Sequence, residues 1–271
     1  MLTMRAKTKP SKPTGADPIR ALSDATIRQV YTVLRAGLDG AVRDGLLAKN
    51  PAVVVKRPGV ARKEARHVNT VDVTKLLLCA EGLRYRNVLV LVAGTGIRRG
   101  EALALHWSDI DLDGGVLVIR GTLGRVEGRL MISEPKTDRS RRPVPMAAPL
   151  VTMLREHRVT QQSERRAAGD QWTDEGLVFA TEFGKPVDPR NALRTIKIAA
   201  QKAGIIDVGV HTLRHSAAVA WLEAGVHIKA VADLLGHSSI AVTGDVYGHT
   251  SDTTARAAVD VLSGELGLLD L

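Results

Sequence analysis

The chain has 271 residues, 44% of them hydrophobic and 3% aromatic, and carries a formal net charge of +9. That apolar share supports one sizeable domain plus a smaller appendage, and the positive excess points to a polyanion, nucleic acid ahead of an anionic membrane surface. A lone cysteine, Cys79, excludes an internal disulfide and a cysteine metal cluster, and no stretch reaches the roughly 18 uninterrupted apolar residues of a bilayer span, so a cytoplasmic, non-membrane protein is expected.

Residues 1–18, "MLTMRAKTKPSKPTGADP", are basic and proline-bearing with no apolar signal core, and read as a flexible basic arm. With Ser23 as N-cap, Ile27, Val30, Tyr31, Leu34, Leu38 and Val42 follow the spacing of an amphipathic helix that ends near Gly45, and Asn50-Pro51 marks the stop. Such a segment is too short for an independent core, so residues 19–54 read as part of a small helical domain. Residues 55–68 are strongly basic and lack periodicity, as an interdomain linker along phosphates or a solvated surface loop would.

Residues 69–271 form the second domain in this reading. Helices are expected through "VTKLLLCA", "YRNVLVLVAG" and "RGEALALHW", then a meander of three strands, "VLVIRG", "RLMIS" and "RRPVPM", rich in β-branched residues. Further helices are expected at about 147–167, 189–203, 212–224, 227–235 and 252–265. The predicted fold class is mainly α with a small antiparallel three-stranded β-sheet.

Certain polar residues sit where a plain helical bundle does not need them: Arg98 in "GTGIRRGEAL", Lys136 in "EPKTDRSRRPVP", His211 and Arg214 in "HTLRH", His237 in "LLGHSS", and Tyr247 in "VTGDVYGHT". Singly, each has an ordinary structural explanation as a surface charge, a helix cap or a gap-filler. Together they supply the parts of phosphoryl transfer. Guanidinium groups clamp non-bridging oxygens with a fork that lysine cannot copy, lysine and histidine carry protons, and a tyrosine hydroxyl can attack phosphorus and hold it as an ester. His211 and Arg214, three residues apart, share one face of a helix and can reach one phosphate. Gly244 and Gly248 around Tyr247 suit a segment that moves between inactive and active states.

In these motifs the chain resembles the tyrosine recombinases of the phage integrase family, over roughly residues 20–265. "TGIRRGEALALHWSDIDL" is similar to the first arginine box, "KTDRSRRPVP" to the lysine hairpin, "HTLRHSAAVAWLEAG" to the second box, and "VADLLGHSSIAVTGDVYGHT" to the histidine and tyrosine segment. The resemblance implies that Arg98 and Arg214 hold the scissile phosphate. Lys136 is then the general acid toward the 5'-oxygen, His211 a base or acid, His237 a further donor, and Tyr247 the nucleophile of a 3'-phosphotyrosine link. The register of Gly-Ile-Arg favours Arg98 over Arg99, Glu101 buttresses the site, and His215 lies behind it; His249 receives no role.

It further implies a catalytic domain preceded by a partial helical core-binding domain, closing on duplex DNA without a metal or nucleotide cofactor. The partners implied are double-stranded attachment sites, a homo-tetramer on DNA formed by a monomer in solution, and an accessory directionality factor. The tetramer contact would be a head-to-tail docking of the last helix through Ala257, Ala258, Val261 and Leu262. Phosphate contacts are expected from Lys56, Arg57, Arg62, Lys63, Arg66, Arg139, Arg141 and Arg142. Two other readings stay open: a type IB topoisomerase-like relaxing enzyme and a non-catalytic DNA-binding regulator. A naturally short integrase and a fragment are equally compatible with the N-terminal part.

Overall fold

The computed structural model describes residues 22–60, 67–134, 141–237 and 243–244. The chain divides into two compact units, with the boundary between Lys63 and Glu64. The helix expected at 252–265 lies outside the described residues, and no described helix is long and apolar enough to cross a membrane.

In the first unit, α1 spans Asp24–Arg43, and the Ser23 side chain accepts from the Thr26 N–H as its N-cap. Asp24 in the first turn and Arg43 in the last complement the helix dipole. Ile27 and Tyr31, one turn apart, are the buried residues of this helix, whereas Leu34, placed by periodicity on the same stripe, is exposed. The Asn50-Pro51 stop becomes a return of the chain onto α1. The Tyr31 hydroxyl lies 3.1 Å from the Ala52 carbonyl and 3.0 Å from that of Val55, straddling the 3-10 turn Pro51–Val54. Asn50 Nδ2 donates to the Arg35 carbonyl and to Asp39, while its Oδ1 caps the Ala52 N–H.

The second unit opens with α2, Thr70–Cys79, capped by Asn69, and α3, Arg86–Thr95, which ends at Gly96 with φ +65. Next comes α4, Arg99–Leu103, much shorter than the "RGEALALHW" pattern suggests. Helical propensity loses there to tertiary pairing. Val178 N–H donates to the Leu105 carbonyl at 2.8 Å, Trp107 N–H to that of Gly176 at 2.9 Å, and His106 bridges Leu177. Gln161 locks this junction by accepting from Trp107 Nε1 and donating to the Leu177 and Val178 carbonyls.

Strands β1 (Ile110–Asp111), β2 (Val116–Ile119) and β5 (Arg142–Pro145) form the three-stranded antiparallel sheet in the order β1-β2-β5. The expected meander is corrected in one respect: "RLMIS" is not a member of this sheet. As β4 (Arg129–Ser133) it pairs with β3 (Thr122–Val126) in a separate hairpin whose two-residue loop, Glu127-Gly128, has positive φ at both positions. "TLGRV" carries no strand pattern in the sequence because Gly124 and Arg125 break the apolar alternation. In β5 the pleat turns Arg142 and Val144 inward and Pro143 and Pro145 outward, with Val144 opposite Leu117 and Arg142 opposite Ile119.

Helices α5 (Ala148–Ala168), α6 (Pro189–Ala203), α7 (Val210–Glu223) and α8 (Ile228–Leu235) complete the described part. Leu76, Leu89, Leu91, Leu103, Leu117, Ile119, Leu154, Ile196 and Leu213 are fully buried in one core, so aliphatic side chains do the work that aromatics do elsewhere. Removing the Tyr31 hydroxyl would take away the one proton shared between the Ala52 and Val55 carbonyls, of which that of Ala52 also accepts from the Val55 N–H. Tyr31→Phe should therefore cost about 1–2 kcal/mol in the first unit, read by amide exchange of α1.

Candidate active site

Helix α8 ends in a left-handed residue, Gly236, and its last carbonyls have no partners within the helix. Three successive ones each accept from a different arginine. Arg142 Nε donates to the Leu234 carbonyl at 2.8 Å, Arg214 Nη2 to Leu235 at 2.8 Å, and Arg98 Nη2 to Gly236 at 3.2 Å. Arg214 also donates from Nη1 to the Gly96 carbonyl, the C-cap of α3, at 2.7 Å. Two helix C-termini, the negative ends of their dipoles, thus gather the guanidinium groups.

Behind them lies Glu101, 4% exposed. As the third residue of α4, its carboxylate reaches back to the Arg98 N–H at 2.7 Å and takes Arg98 Nη1 at 2.7 Å. The same two oxygens accept from Arg142 Nη1 at 3.2 Å and Nη2 at 2.9 Å. Burial pushes the Glu101 carboxyl upward, but the hydrogen bonds and charges of Arg142 and Arg98 prevail and hold it below its ordinary value. Among the described residues this one carboxylate serves Arg98 and Arg142, with Arg214 held by backbone carbonyls alongside, which leaves a positive excess suited to an anion.

Glycine is required twice here. Gly96 and Gly236 both take φ +65; a Cβ at Gly96 would stand 3.0 Å from Leu235 Cδ2 and Trp221 Cη2, and one at Gly236 would stand 2.6 Å from Arg142 Nη1.

His237 follows directly, its N–H donating to the Ala232 carbonyl and its Nδ1 lying 2.8 Å from Thr243 Oγ1. Burial, then the charges of Arg214, Arg98, Arg142 and His215, lower its pKa to about 4. His211 opens to solvent from the first turn of α7, one turn before Arg214. Partial desolvation of its ring, then Arg214, Arg99 and Arg98, also lower its pKa. Half-buried His215 has its ring centroid 6.5 Å from that of His211 and is lowered by burial, His211, Arg214 and His67. Histidines held in the neutral form keep a lone pair available for a proton and an N–H available for an anion.

The structure therefore brings Arg98, Arg214, His211 and His237 into one cluster and sets Glu101 beneath it. Lys136, Arg139, Tyr247, Arg62, Lys63 and Arg66 lie outside the described residues. Lys56 and Arg57 are exposed, as is Arg141, which pairs with Glu134 at 3.0 Å. Arg142 needs correcting: expected at the surface as a phosphate contact, it is 6% exposed and committed to Glu101 and Leu234. The missed signal was the alternation in "RPVP", where a core valine two residues on places Arg142 on the inner face.

Two measurements probe this arrangement. Histidines with lowered pKa make the unfolded chain take up protons first, so stability is complete above about pH 6.5 and falls with pH until the folded groups titrate. Glu101, with a lowered pKa, adds stability above its ordinary value of 4.5 that is lost as pH falls through the folded pKa. The melting temperature should fall steadily from pH 7 to pH 4, and His237→Gln should flatten the part above pH 4. Gly236→Ala should cost about 1–3 kcal/mol by denaturant titration through strain and the clash with Arg142.

Comparison with known proteins gives a consistent result. The model of the phage integrase family matches residues 67–254. A tyrosine recombinase XerC-like protein of Caldanaerobacter subterraneus subsp. tengcongensis is 33% identical over 259 residues, covering 89% of this chain and 66% of that protein. The ICEBs1 integrase of Bacillus subtilis is 26% identical over 245 residues, covering 89% of this chain and 66% of that protein. The chain thus spans about two thirds of the length of these relatives. Among solved structures, the Tn1549 transposon integrase, in complex with a circular intermediate DNA, superposes with a TM-score of 0.73 at 22% identity, covering 89% of this chain and 80% of that one. XerA recombinase superposes with a TM-score of 0.58 at 23% identity, covering 88% and 82%. The mainly helical second unit has the fold of these proteins, and the chain belongs to the phage integrase family.

Proposed function

We propose that the chain is a site-specific DNA recombinase that cleaves and rejoins strands through a 3'-phosphotyrosine intermediate, integrating and excising a phage or other mobile element. The observation that carries this reading is the pair Arg98 and Arg214, both held at the C-terminus of α8 beside two histidines with lowered pKa. Membership of the phage integrase family supports it.

In this mechanism Arg98 and Arg214 hydrogen-bond the non-bridging oxygens of the scissile phosphodiester. Their charge matters most when the phosphorus becomes five-coordinate and the oxygens more negative. The Tyr247 oxygen bonds to phosphorus as the bond to the 5'-oxygen breaks. His211 takes the phenolic proton and Lys136 protonates the departing 5'-oxygen. His237 donates a hydrogen bond to the phosphate. In the second half, the 5'-hydroxyl of the exchanged strand gives its proton to Lys136 and bonds to phosphorus as the bond to the Tyr247 oxygen breaks, His211 returns the phenolic proton, and one phosphodiester has replaced another. Fixed guanidinium dipoles and charges need no reorganisation during either half.

The proposed partners are double-stranded attachment sites inside the host cell. On them the chain assembles as a homo-tetramer from monomers, under an accessory directionality factor. Lys56, Arg57 and Arg141, with the basic residues outside the described part, would position the duplex through phosphate contacts.

A nicked duplex library with a randomised core, incubated with the protein and stopped in denaturant, tests the reading. A covalent protein–DNA adduct should survive, its sequences should converge on one core, and Tyr247→Phe should abolish it. Arg214→Lys, which keeps charge but loses the fork, should slow adduct formation by about 100-fold or more. Sequence-independent plasmid relaxation with no convergence would instead identify a relaxing enzyme.

A further inference from the structure

We infer that Arg142 is a positioning residue of the strand-cleavage site: its guanidinium, shared between Glu101 and the Leu234 carbonyl, holds Arg98 and the end of α8 in register. The inference rests on the recombinase reading above. Arg142 is 6% exposed and lies on the inner face of β5. All of its nitrogens are committed to protein: Nε to Leu234, Nη1 and Nη2 to the two oxygens of Glu101.

A buried ion pair seldom adds net stability over apolar side chains of similar volume, so its value here has to be sought in what it orients. Both Glu101 oxygens are shared. Oε1 takes Arg98 Nη1 and Arg142 Nη1, and Oε2 takes the Arg98 N–H and Arg142 Nη2. Rotation of the carboxylate would therefore turn Arg98, and Arg142 is what prevents that rotation. On its other side Arg142 grips Leu234, the residue before the carbonyl that holds Arg214 and two before the carbonyl that holds Arg98. Gly236 leaves room for the guanidinium, since a Cβ there would stand 2.6 Å from Nη1, 2.8 Å from Cζ and 3.0 Å from Nε.

Arg142 also opens β5, the strand next in sequence after the segment bearing Lys136, so one side chain ties that strand to the α8 terminus. A lysine could not replace it, because one ammonium cannot serve a backbone carbonyl and both oxygens of a carboxylate in this geometry. His237, just past the terminus, is faced by Arg214 and His215 from α7, Arg98 beside α4, Arg142 from β5 and the Thr243 hydroxyl. Arg142 is thus one of the cations that keep its imidazole neutral.

The test uses the whole chain with Arg142→Met and Arg142→Lys. It combines binding of plain duplex DNA, single-turnover adduct formation on the core duplex selected by the parent protein, and NMR titration of the His237 imidazole. Duplex affinity should stay within about threefold, because the Arg142 guanidinium is held by Glu101 and Leu234. Adduct formation should fall at least about tenfold in both variants. The His237 pKa, held at about 4 chiefly by burial and then by Arg214 and Arg98, should rise modestly in Arg142→Met and stay unchanged in Arg142→Lys. A folded Arg142→Lys that cleaves at the parent rate would overturn the inference, as would a His237 titration unchanged in Arg142→Met. Loss of folding in Arg142→Met leaves the lysine variant to decide. Absence of any adduct from the parent protein would count against the recombinase reading, whereas the histidine titration needs no DNA and still decides whether Arg142 acts on the site.

Discussion

The cluster depends on the C-terminus of α8, where three consecutive backbone carbonyls meet three arginines from different parts of the chain. A helix end must find donors for its last carbonyls, and an arginine taken out of water must find acceptors; each need is met by the other. Arg98 comes from the start of α4, Arg142 from β5 and Arg214 from α7, so this one terminus ties the helical layer to the sheet. Guanidinium groups fixed by backbone oxygens do not have to be ordered when an anion arrives, which lowers the entropic cost of binding and of reaching a charged transition state.

Glu101 is what makes so much positive charge tolerable. Without it, the buried Arg142 guanidinium would face the partly exposed Arg98 as a like charge. With it, the charge of the cluster is reduced but not cancelled, and burial, the larger cause, together with that surplus lowers the pKa of His211, His215 and His237. The same electrostatic field that favours an anionic ligand therefore also sets the protonation of the nearby histidines. The charge that attracts the anion thus also helps to keep these imidazoles neutral, while weakening them as bases.

Much of the helical framework was legible because its stop signals are local. Asp188-Pro189 starts α6 and Gly204 ends it at the expected residues, and Ser23 caps α1 through its own hydroxyl. Elements set by long-range pairing were not legible. The truncation of α4 reflects backbone bonds to residues 176–178, and β3 exists because β4 pairs with it in spite of Gly124. The site divides similarly. Residue type and motif marked Arg98, His211, Arg214 and His237, but only the pleat of β5 against β2 shows that Arg142 turns inward while Arg141 turns out. That Leu234, Leu235 and Gly236 would organise the arginines could not be read at all, because backbone carbonyls carry no signature in a sequence.

In the proposed reaction Arg98 and Arg214 are preset by the α8 terminus and receive the scissile phosphate without leaving it. A crystal structure of the chain on a nicked core duplex measures this directly. The predicted result is a non-bridging phosphate oxygen within hydrogen-bond distance of both guanidinium groups, with the bonds to the Leu235 and Gly236 carbonyls retained. A phosphate bound elsewhere, or arginines that abandon those carbonyls to reach it, would contradict the account.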